Sequence, residues 1–425
     1  MIKQGALLRV EIERLAFGGS GIARKDGKVY FVKGGLPHDI VDIRVTNDRG
    51  NFAEAVIDEI AEPSRERVEP PCPVFSLCGG CQLQNLIYPA QLREKENILR
   101  ETLQRIGGIG DVVVEPMFPS PSEYGYRRRV LLSAWYSSGR WNVGYYREMS
   151  KSNIKIESCP IADGVINKAI SRISDVLSSI GEPRYPLEKI FLSSDGEKAY
   201  ITLVPRFRVG SGSLRSLAKH LRRHEETENV SVTGKDEVEF GLSLPGYTLL
   251  TSPSVFTQSN APVNEALIGT VLDWAGLKGT ETVLDLYSGA GNFSIPLAVS
   301  SKQVISVKIN KKSVALAKKS AELNGLNNII FHIAPSEEYM RDADPGAGPV
   351  DIVLLDPPRE GAKEAVAGVA RFSPKKVIYV SCDPSTLARD IRIFGDSGYK
   401  LVRVKPFDMF PETYHIESVS LLTRS

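Results

Sequence analysis

The second half of the chain alternates short apolar runs with helical stretches, and this alternation constrains the fold more than any other feature. From residue 262 onward the apolar runs are TVLDLYSG, KQVISVKIN, PVDIVLLDPP, KKVIYVSCDP and ESVSLLT. Strands that alternate with helices in this way predict a doubly wound parallel sheet. Ligands of such sheets bind beyond the carboxyl ends of the strands, and the unusual residues of these runs fall there.

The first 60 residues have a different pattern. Short runs of alternating apolar and polar residues are separated by turns such as GGSG, KDGK and NDRG, which predicts a small antiparallel barrel of the oligonucleotide-binding type. An exposed basic and aromatic face would suit RNA, and its candidate residues are Arg14, Phe17, Arg24 and Tyr30. The alternative is a barrel with a purely structural role.

Between these two parts lie a proline-bearing linker, a cysteine-rich segment, a helical stretch and several strand-like runs. We therefore predict a multidomain protein with an OB-like barrel over residues 1–60. A central α+β domain is predicted over residues 61–90 and 120–245. An α/β Rossmann-like domain is predicted over residues 91–119 and 246–425.

Composition narrows the possible partners. No apolar run approaches the roughly 20 residues needed to cross a bilayer, and the first residues lack the apolar core of a signal peptide, so we expect a cytoplasmic protein that does not act at a membrane. A formal net charge of +2 does not by itself indicate nucleic acid, although the cluster Tyr126-Arg127-Arg128-Arg129 could contact phosphates.

Three short motifs follow predicted strands. A glycine turn in DLYSGAGNF would let the backbone approach a nucleotide-like cofactor, or would simply be a tight connection. Asp356-Pro357-Pro358 would form a rigid loop beside the cofactor crevice or would only end a strand. Cys382 would be a thiol activated by the amides of the next helix, or a buried small hydrophobic residue.

Taken together and in this order, LDLYSGAGNF, LLDPPREG, VSCDPSTLARD and DMFPETYHIESV resemble the C-terminal domain of the RNA uracil-5-methyltransferase family. The barrel resembles a TRAM domain, and CPVFSLCGGCQLQ, YPAQLREKE and IESCPI resemble the iron-sulfur branch of that family. The resemblance covers nearly the whole chain. It implies S-adenosylmethionine-dependent methylation of uracil carbon 5 in RNA, with ribosomal RNA (23S) favoured over transfer RNA, by a monomeric enzyme.

The same resemblance implies roles for single residues. Cys382 would add to carbon 6 of uracil, and Glu417 would remove the proton from carbon 5, with Asp383 a lesser candidate for that base. Phe256 and Gln258 match an F-x-Q element whose glutamine contacts the methyl donor. The expected donor pocket consists of Gln258, Tyr287, Gly289, Asn292 and Asp356.

The other four cysteines, Cys72, Cys78, Cys81 and Cys159, include three close together and one distant. An odd total of five in a chain without an export signal speaks against a disulfide framework. By spacing alone, four thiolates suit zinc as well as an iron-sulfur cluster. The family resemblance favours a 4Fe-4S cluster.

Two positions depart from the family pattern. Lys308 stands where the family has an acidic residue that holds the donor's ribose, and Pro335 stands where a polar or acidic residue lies near adenine. A lysine cannot accept those hydrogen bonds. Two alternatives therefore stay open: a uracil-directed enzyme that uses a different, anionic donor beside Lys308, and a non-catalytic RNA-binding relative.

Overall fold

A computed structural model describes residues 4–110, 113–180, 187–206, 211–234 and 237–424. The N-terminal part is one six-stranded sheet in the order β1-β5-β6-β4-β3-β2. Its strands are β1 (Leu7–Glu11), β2 (Arg14–Leu15), β3 (Gly21–Lys25), β4 (Lys28–Lys33), β5 (Ile40–Asp48) and β6 (Phe52–Glu62). The predicted strands form, but β4 and β6 pair in parallel, so the sheet is not wholly antiparallel as predicted.

The candidate RNA-binding face of this sheet is largely engaged within the protein. Tyr30 is buried in the core of the sheet, so its prediction as an exposed residue was wrong. The ring of Phe17 packs edge-on against Tyr414 at a centroid distance of 5.3 Å. Arg14 pairs with Glu101 and Arg24 with Glu13. Alternation of apolar and polar residues therefore identified the strands, but not which aromatic side chains face inwards.

A cysteine-bearing segment leads to α1 (Tyr88–Arg105) and the short strand β7 (Val113–Val114). The central sheet follows, in the order β10-β9-β8-β11-β12-β13, with helices α2 and α3 packed on it. Its elements are β8 (Arg129–Ser137), β9 (Arg140–Tyr146), β10 (Asn153–Lys155), α2 (Gly164–Ile180), β11 (Leu187–Ser194), β12 (Ala199–Pro205), α3 (Ser211–Leu221), a 3-10 turn (Glu225–Thr227) and β13 (Asn229–Val232).

A hairpin of β14 (Phe240–Leu244) and β15 (Tyr247–Thr251) precedes the largest sheet, whose order is β18-β17-β16-β19-β20-β22-β21-β7. Its elements are α4 (Ala261–Ala275), β16 (Thr282–Leu286), α5 (Ser294–Ser300), β17 (Gln303–Val307), α6 (Lys311–Leu323), β18 (Ile329–His332), α7 (Ser336–Asp342), a 3-10 turn (Pro345–Ala347), β19 (Ile352–Leu355), α8 (Lys363–Phe372), β20 (Lys376–Ser381), α9 (Pro384–Asp396), β21 (Tyr399–Phe407) and β22 (Glu417–Arg424).

The predicted Rossmann-like sheet is therefore present, with one difference at its edge. Strands β16 to β20 pair in parallel as expected. The run ESVSLLT becomes β22, which lies antiparallel to both β20 and β21. Among the described helices, none has the length and apolar character required to cross a bilayer.

Helix α1 buries an unusual number of polar side chains, and each has a partner elsewhere in the chain. Glu94 accepts a hydrogen bond from the backbone N–H of Leu15 in the barrel at 2.9 Å. The ammonium of Lys95 donates to Asp408 at 2.7 Å and to the carbonyl of Phe410 at 3.2 Å. Lys95 and Asp408 are 1% and 0% exposed, so neither charge is solvated by water. The helix thus joins the barrel to the segment that follows β21 of the largest sheet.

We expect Lys95→Met to destabilise the protein by about 3–5 kcal/mol, because it leaves the buried carboxylate of Asp408 without its cation. Urea unfolding followed by tryptophan fluorescence measures the change. The matched control is Lys375→Met, which removes an exposed partner of Asp351 and should cost less than about 1 kcal/mol. Equal destabilisation by both substitutions would contradict this assignment.

Candidate active site and cysteine pocket

A cavity of about 980 Å³ lies at the carboxyl ends of the parallel strands, between the eight-stranded sheet and the central sheet. The eight-stranded sheet is called the catalytic sheet below, because the predicted catalytic residues lie at this edge. Strand order brings its lining together, because β16, β17, β19 and β20 are neighbours and end at the same edge. The residues predicted as catalytic or donor-binding all line it: Gln258, Tyr287, Gly289, Asn292, Lys308, Asp356, Cys382 and Glu417.

Cys382 follows the end of β20 and lies among acidic groups. The pKa of its thiol is raised to about 12, chiefly by burial and then by the neighbouring carboxyls of Glu417 and Asp356, against the opposite effect of the Arg359 guanidinium. The thiol is therefore protonated at neutral pH.

The structure does not show the expected activation of Cys382 by helix-end amides. Helix α9 begins at Pro384, and the side chain of Asp383 accepts the hydrogen bonds of its first free amides, from Ser385 and Thr386. Asp383 is thus an N-cap. Asp383, the lesser candidate for the base, is not among the described residues that line the cavity.

Glu417 is the first residue of β22 and is buried. Burial, followed by the charge of Asp356, raises the pKa of its carboxyl well above the ordinary value. A carboxyl with a raised pKa is a stronger proton acceptor once ionised. The position and environment of Glu417 therefore suit a general base beside Cys382.

The glycine turn after β16 has the backbone conformation that its sequence suggested. Tyr287 and Gly289 both have positive φ angles, of 62°, and the space beside the α-carbon of Gly289 is open. The hydroxyl of Tyr287 donates to the carboxylate of Glu337 at 2.6 Å, and its backbone N–H donates to Ser336 at 3.1 Å. The turn is thereby tied to the start of α7.

Two amide side chains complete this end of the cavity. Asn292 exchanges two hydrogen bonds with Asn264, at 2.9 and 3.0 Å, which fixes the orientation of both amides. The Oε1 atom of Gln258 is buried and has no hydrogen-bond partner within the described part of the chain. A buried acceptor without a partner is costly, so this atom marks a position where a ligand could donate a hydrogen bond.

Lys308 directly follows β17 and lines the same end of the cavity as Tyr287 and Gly289. Its charge lowers the pKa values of Asp285 and Asp356, but burial has the larger effect and raises both to about 7. Pro335, the other departure from the family pattern, precedes α7 and also lines the cavity. The lysine is therefore a cation in the expected donor pocket.

Arginine and aromatic side chains also meet at the wall of the cavity, where Arg129 and Phe256 line it. The guanidinium of Arg129 lies 5.7 Å from the ring centroid of Phe191 and 5.6 Å from that of Phe256. Burial lowers the pKa of Arg129 to about 10, which leaves the side chain cationic at neutral pH. A cation beside an exposed ring is a surface on which a base can stack and a phosphate can bind.

The four remaining cysteines line a second cavity of about 650 Å³. Burial raises the pKa of Cys72 and Cys78, and raises that of Cys81 to about 12, and the nearby Cys159 adds to each shift. Within the described ranges, no group of three or more histidine, cysteine, aspartate or glutamate side chains is placed to hold a metal ion. Arg127 lines both cavities and so lies between them.

Comparison with known proteins identifies the family. The profile described as tRNA (Uracil-5-)-methyltransferase matches residues 87–425, and that of the TRAM domain matches residues 3–57.

The chain belongs to the tRNA (uracil-5-)-methyltransferase family.

Curated members of this family match the chain over almost its full length. It is 34% identical to the 23S rRNA (uracil(1939)-C(5))-methyltransferase RlmD of Shewanella amazonensis, covering 97% of this chain and 95% of the relative. It is 35% identical to the protein of the same name from Pseudomonas putida, covering 98% and 94%.

A solved structure shows the same fold. The Pyrococcus abyssi tRNA (uracil-54, C5)-methyltransferase, in complex with S-adenosyl-L-homocysteine, superimposes with a TM-score of 0.71 at 24% identity, over 98% of this chain and 100% of that one. The whole arrangement of barrel, central sheet and catalytic sheet is therefore an architecture of the uracil-5-methyltransferases.

Two cavity residues of this family member were missed by sequence reasoning. Asn264 lies within α4 and Glu337 in the first turn of α7, and neither stands in a motif. The acidic pair Glu337-Glu338 after Pro335 was a signal of a helix start. Only the hydrogen bond to Tyr287 shows that Glu337 faces the donor end of the cavity.

Proposed function

We propose that this protein transfers a methyl group from S-adenosylmethionine to carbon 5 of a uracil in RNA, through a covalent adduct with Cys382. One observation carries the proposal: Cys382 and Glu417 line the same cavity as the glycine turn, so a base and a methyl donor can meet there. The two bacterial relatives are named for uracil 1939 of 23S rRNA, and we propose 23S rRNA as the substrate here.

Cys382 makes carbon 5 nucleophilic. The thiol passes its proton to water, its sulfur bonds to carbon 6, and the electron pair of the 5,6 double bond moves to the carbonyl at carbon 4. Arg359 assists because its cation favours the thiolate. S-adenosylmethionine, when bound, supplies the electrophilic methyl group. Glu417 then takes the proton from carbon 5, the double bond re-forms, and the bond from carbon 6 to sulfur breaks.

The residues of the donor end fit a polar, nucleoside-bearing ligand. The unpartnered Oε1 of Gln258 needs a donor, Asn292 is held in place by Asn264, and the open face of Gly289 allows close approach. Position 308 carries a lysine and so provides no carboxylate, but Glu337 provides one at this end of the cavity. These groups support S-adenosylmethionine in spite of Lys308.

Arg129 and Phe256 would hold the RNA around the flipped uracil, since a base inside a helix must leave its stack before Cys382 can reach it. The arginines of 127–129 all line the cavity and would contact phosphates. The TRAM domain would add further RNA contacts.

For the second cavity we propose a 4Fe-4S cluster with Cys72, Cys78, Cys81 and Cys159 as ligands. All four line one cavity, and each of the first three is near enough to Cys159 for its charge to shift their pKa values. Buried thiols with raised pKa values are unfavourable as free thiolates, and a bound metal would remove that cost. Zinc is the alternative that the donor set allows.

We expect Cys382→Ala to lower methyl transfer to a 23S rRNA fragment by at least about a thousandfold while RNA affinity is retained, because the nucleophile is lost. Radioactive methyl incorporation measures transfer, and a denaturing gel detects covalent protein–RNA complexes. Glu417→Gln is the matched variant: it should form the adduct but fail to release it. A covalent complex in Cys382→Ala would exclude Cys382 as the nucleophile.

The role of Lys308 is tested by calorimetry with S-adenosylmethionine. We expect the natural protein to bind, and Lys308→Glu to bind about tenfold more tightly, because a carboxylate replaces a cation near a sulfonium ligand. Lys311→Glu is the control, since this substitution changes the charge by the same amount but Lys311 does not line the cavity. If only Lys308→Glu binds, the natural protein uses another donor.

Metal analysis of protein purified without air tests the cysteine pocket. We expect about four iron atoms per chain and visible absorption from sulfur-to-iron charge transfer. Cys78→Ser should lose most of the iron, whereas Cys382→Ser should keep it. One equivalent of zinc in place of iron would contradict the cluster, and unchanged iron in Cys78→Ser would contradict this ligand set.

A further inference from the structure

The loop of residues 408–416 forms one wall of the active-site cavity, and Phe410 and His415 line it. It connects β21 to β22 and ends at the proposed base. Glu417 pairs with Phe407 as the last residue of that strand ladder, and the residues before it are outside the ladder. The sheet therefore fixes only one side of Glu417, and the loop fixes the other.

Glu412 holds the middle of this loop by four hydrogen bonds. Its carbonyl accepts from the backbone amides of Gln82 and Leu83, both at 3.0 Å. Its own amide donates to the side-chain oxygen of Gln91 at 3.0 Å, and its carboxyl accepts from the side-chain nitrogen of Gln91 at 3.1 Å. We call these contacts the Glu412 clamp.

The clamp imposes an unfavourable conformation and position on Glu412. Its φ angle is 67°, which lies in a backbone region that residues other than glycine and asparagine rarely adopt. The side chain is 1% exposed. Such a residue persists only where its surroundings impose it. Here the side chain of Gln91 is itself fixed, because its amide nitrogen also donates to the backbone carbonyls of Leu83 and Leu86.

The clamp also connects the active site to the cysteine pocket. Gln82 directly follows Cys81, and its backbone amide is one of the two that hold Glu412. Two residues further along the loop, Tyr414 lines the cysteine pocket. The same short loop therefore touches the proposed cluster site on one side and carries the base on the other.

We propose that Glu412 is a positioning residue for the removal of the carbon 5 proton. Through the clamp it holds the loop of residues 408–416, and so aligns Glu417 with the methylated adduct. In that step the proton passes to Glu417, the electron pair of the C–H bond forms the 5,6 double bond, and Cys382 leaves as a thiolate. The inference rests on the proposed methyl transfer.

Single-turnover reactions on a 23S rRNA fragment, with S-adenosylmethionine present, separate the two steps. Formation of the covalent complex reports on Cys382, and its disappearance reports on Glu417. In Glu412→Ala we expect release to slow about 10- to 100-fold, as a displaced base would cause, while adduct formation changes less than about threefold. The methylated adduct then accumulates.

Glu412→Gln is the conservative variant, and it should restore release because its amide oxygen can still accept from Gln91. Glu123→Ala is the charge control: Glu123 is an exposed carboxylate that acts electrostatically on Glu412 but takes no part in the clamp. It should behave like the natural protein. Glu412→Gly, which suits the positive φ angle, replaces Glu412→Ala if the alanine variant does not fold.

Release at the natural rate in the glycine or alanine variant would overturn the inference. So would equal slowing of both steps, which indicates a general structural role. Failure of the natural protein to form any adduct or methylated RNA is a different result, since it rejects the proposed function itself.

Discussion

The buried ion pair of Lys95 and Asp408 joins two parts of the chain that are 313 positions apart. Neither charge is exposed to water, and an isolated charge in such a place is strongly destabilising. The buried pair therefore ties the position of helix α1 to that of the loop of residues 408–416. Because α1 precedes the whole central sheet in the sequence, this one contact makes the N-terminal half of the protein part of the active-site scaffold.

Burial and nearby carboxyls disfavour a thiolate at Cys382. Burial is the largest cause that raises the pKa of this thiol, Glu417 and Asp356 raise it as well, and burial together with Asp356 raises the pKa of Glu417. A thiolate beside these carboxyls would be unfavourable, so the thiol proton leaves as the sulfur bonds to the base. Such an arrangement protects the thiol from unproductive reactions until the substrate excludes water and Arg359 can stabilise the charge.

Sequence reasoning predicted the strands of the catalytic sheet and the residues at their ends, because parallel strands place their carboxyl ends at one edge whatever their order. It did not predict the antiparallel position of β22, since periodicity reports burial and not the direction of pairing. Tyr30 was misjudged, and the N-cap contact of Asp383 was not foreseen, for a related reason: an aromatic residue in a strand and a carboxylate before a helix each have a local structural use that a motif does not reveal. Glu337 was missed because only the folded chain brings it to Tyr287.

Three parts of the protein support the wall of the cavity that carries Glu417, the proposed base. The barrel reaches it through the ring of Phe17 on Tyr414, the cysteine segment through Gln82, and α1 through Gln91. Each contact alone is weak, since edge-on rings and single hydrogen bonds contribute on the order of 1 kcal/mol. Their common target is a loop that its own strands leave unsupported. An RNA that spans barrel and cavity therefore meets a preformed wall, so its binding energy is not consumed in ordering that wall and remains available to unstack the uracil.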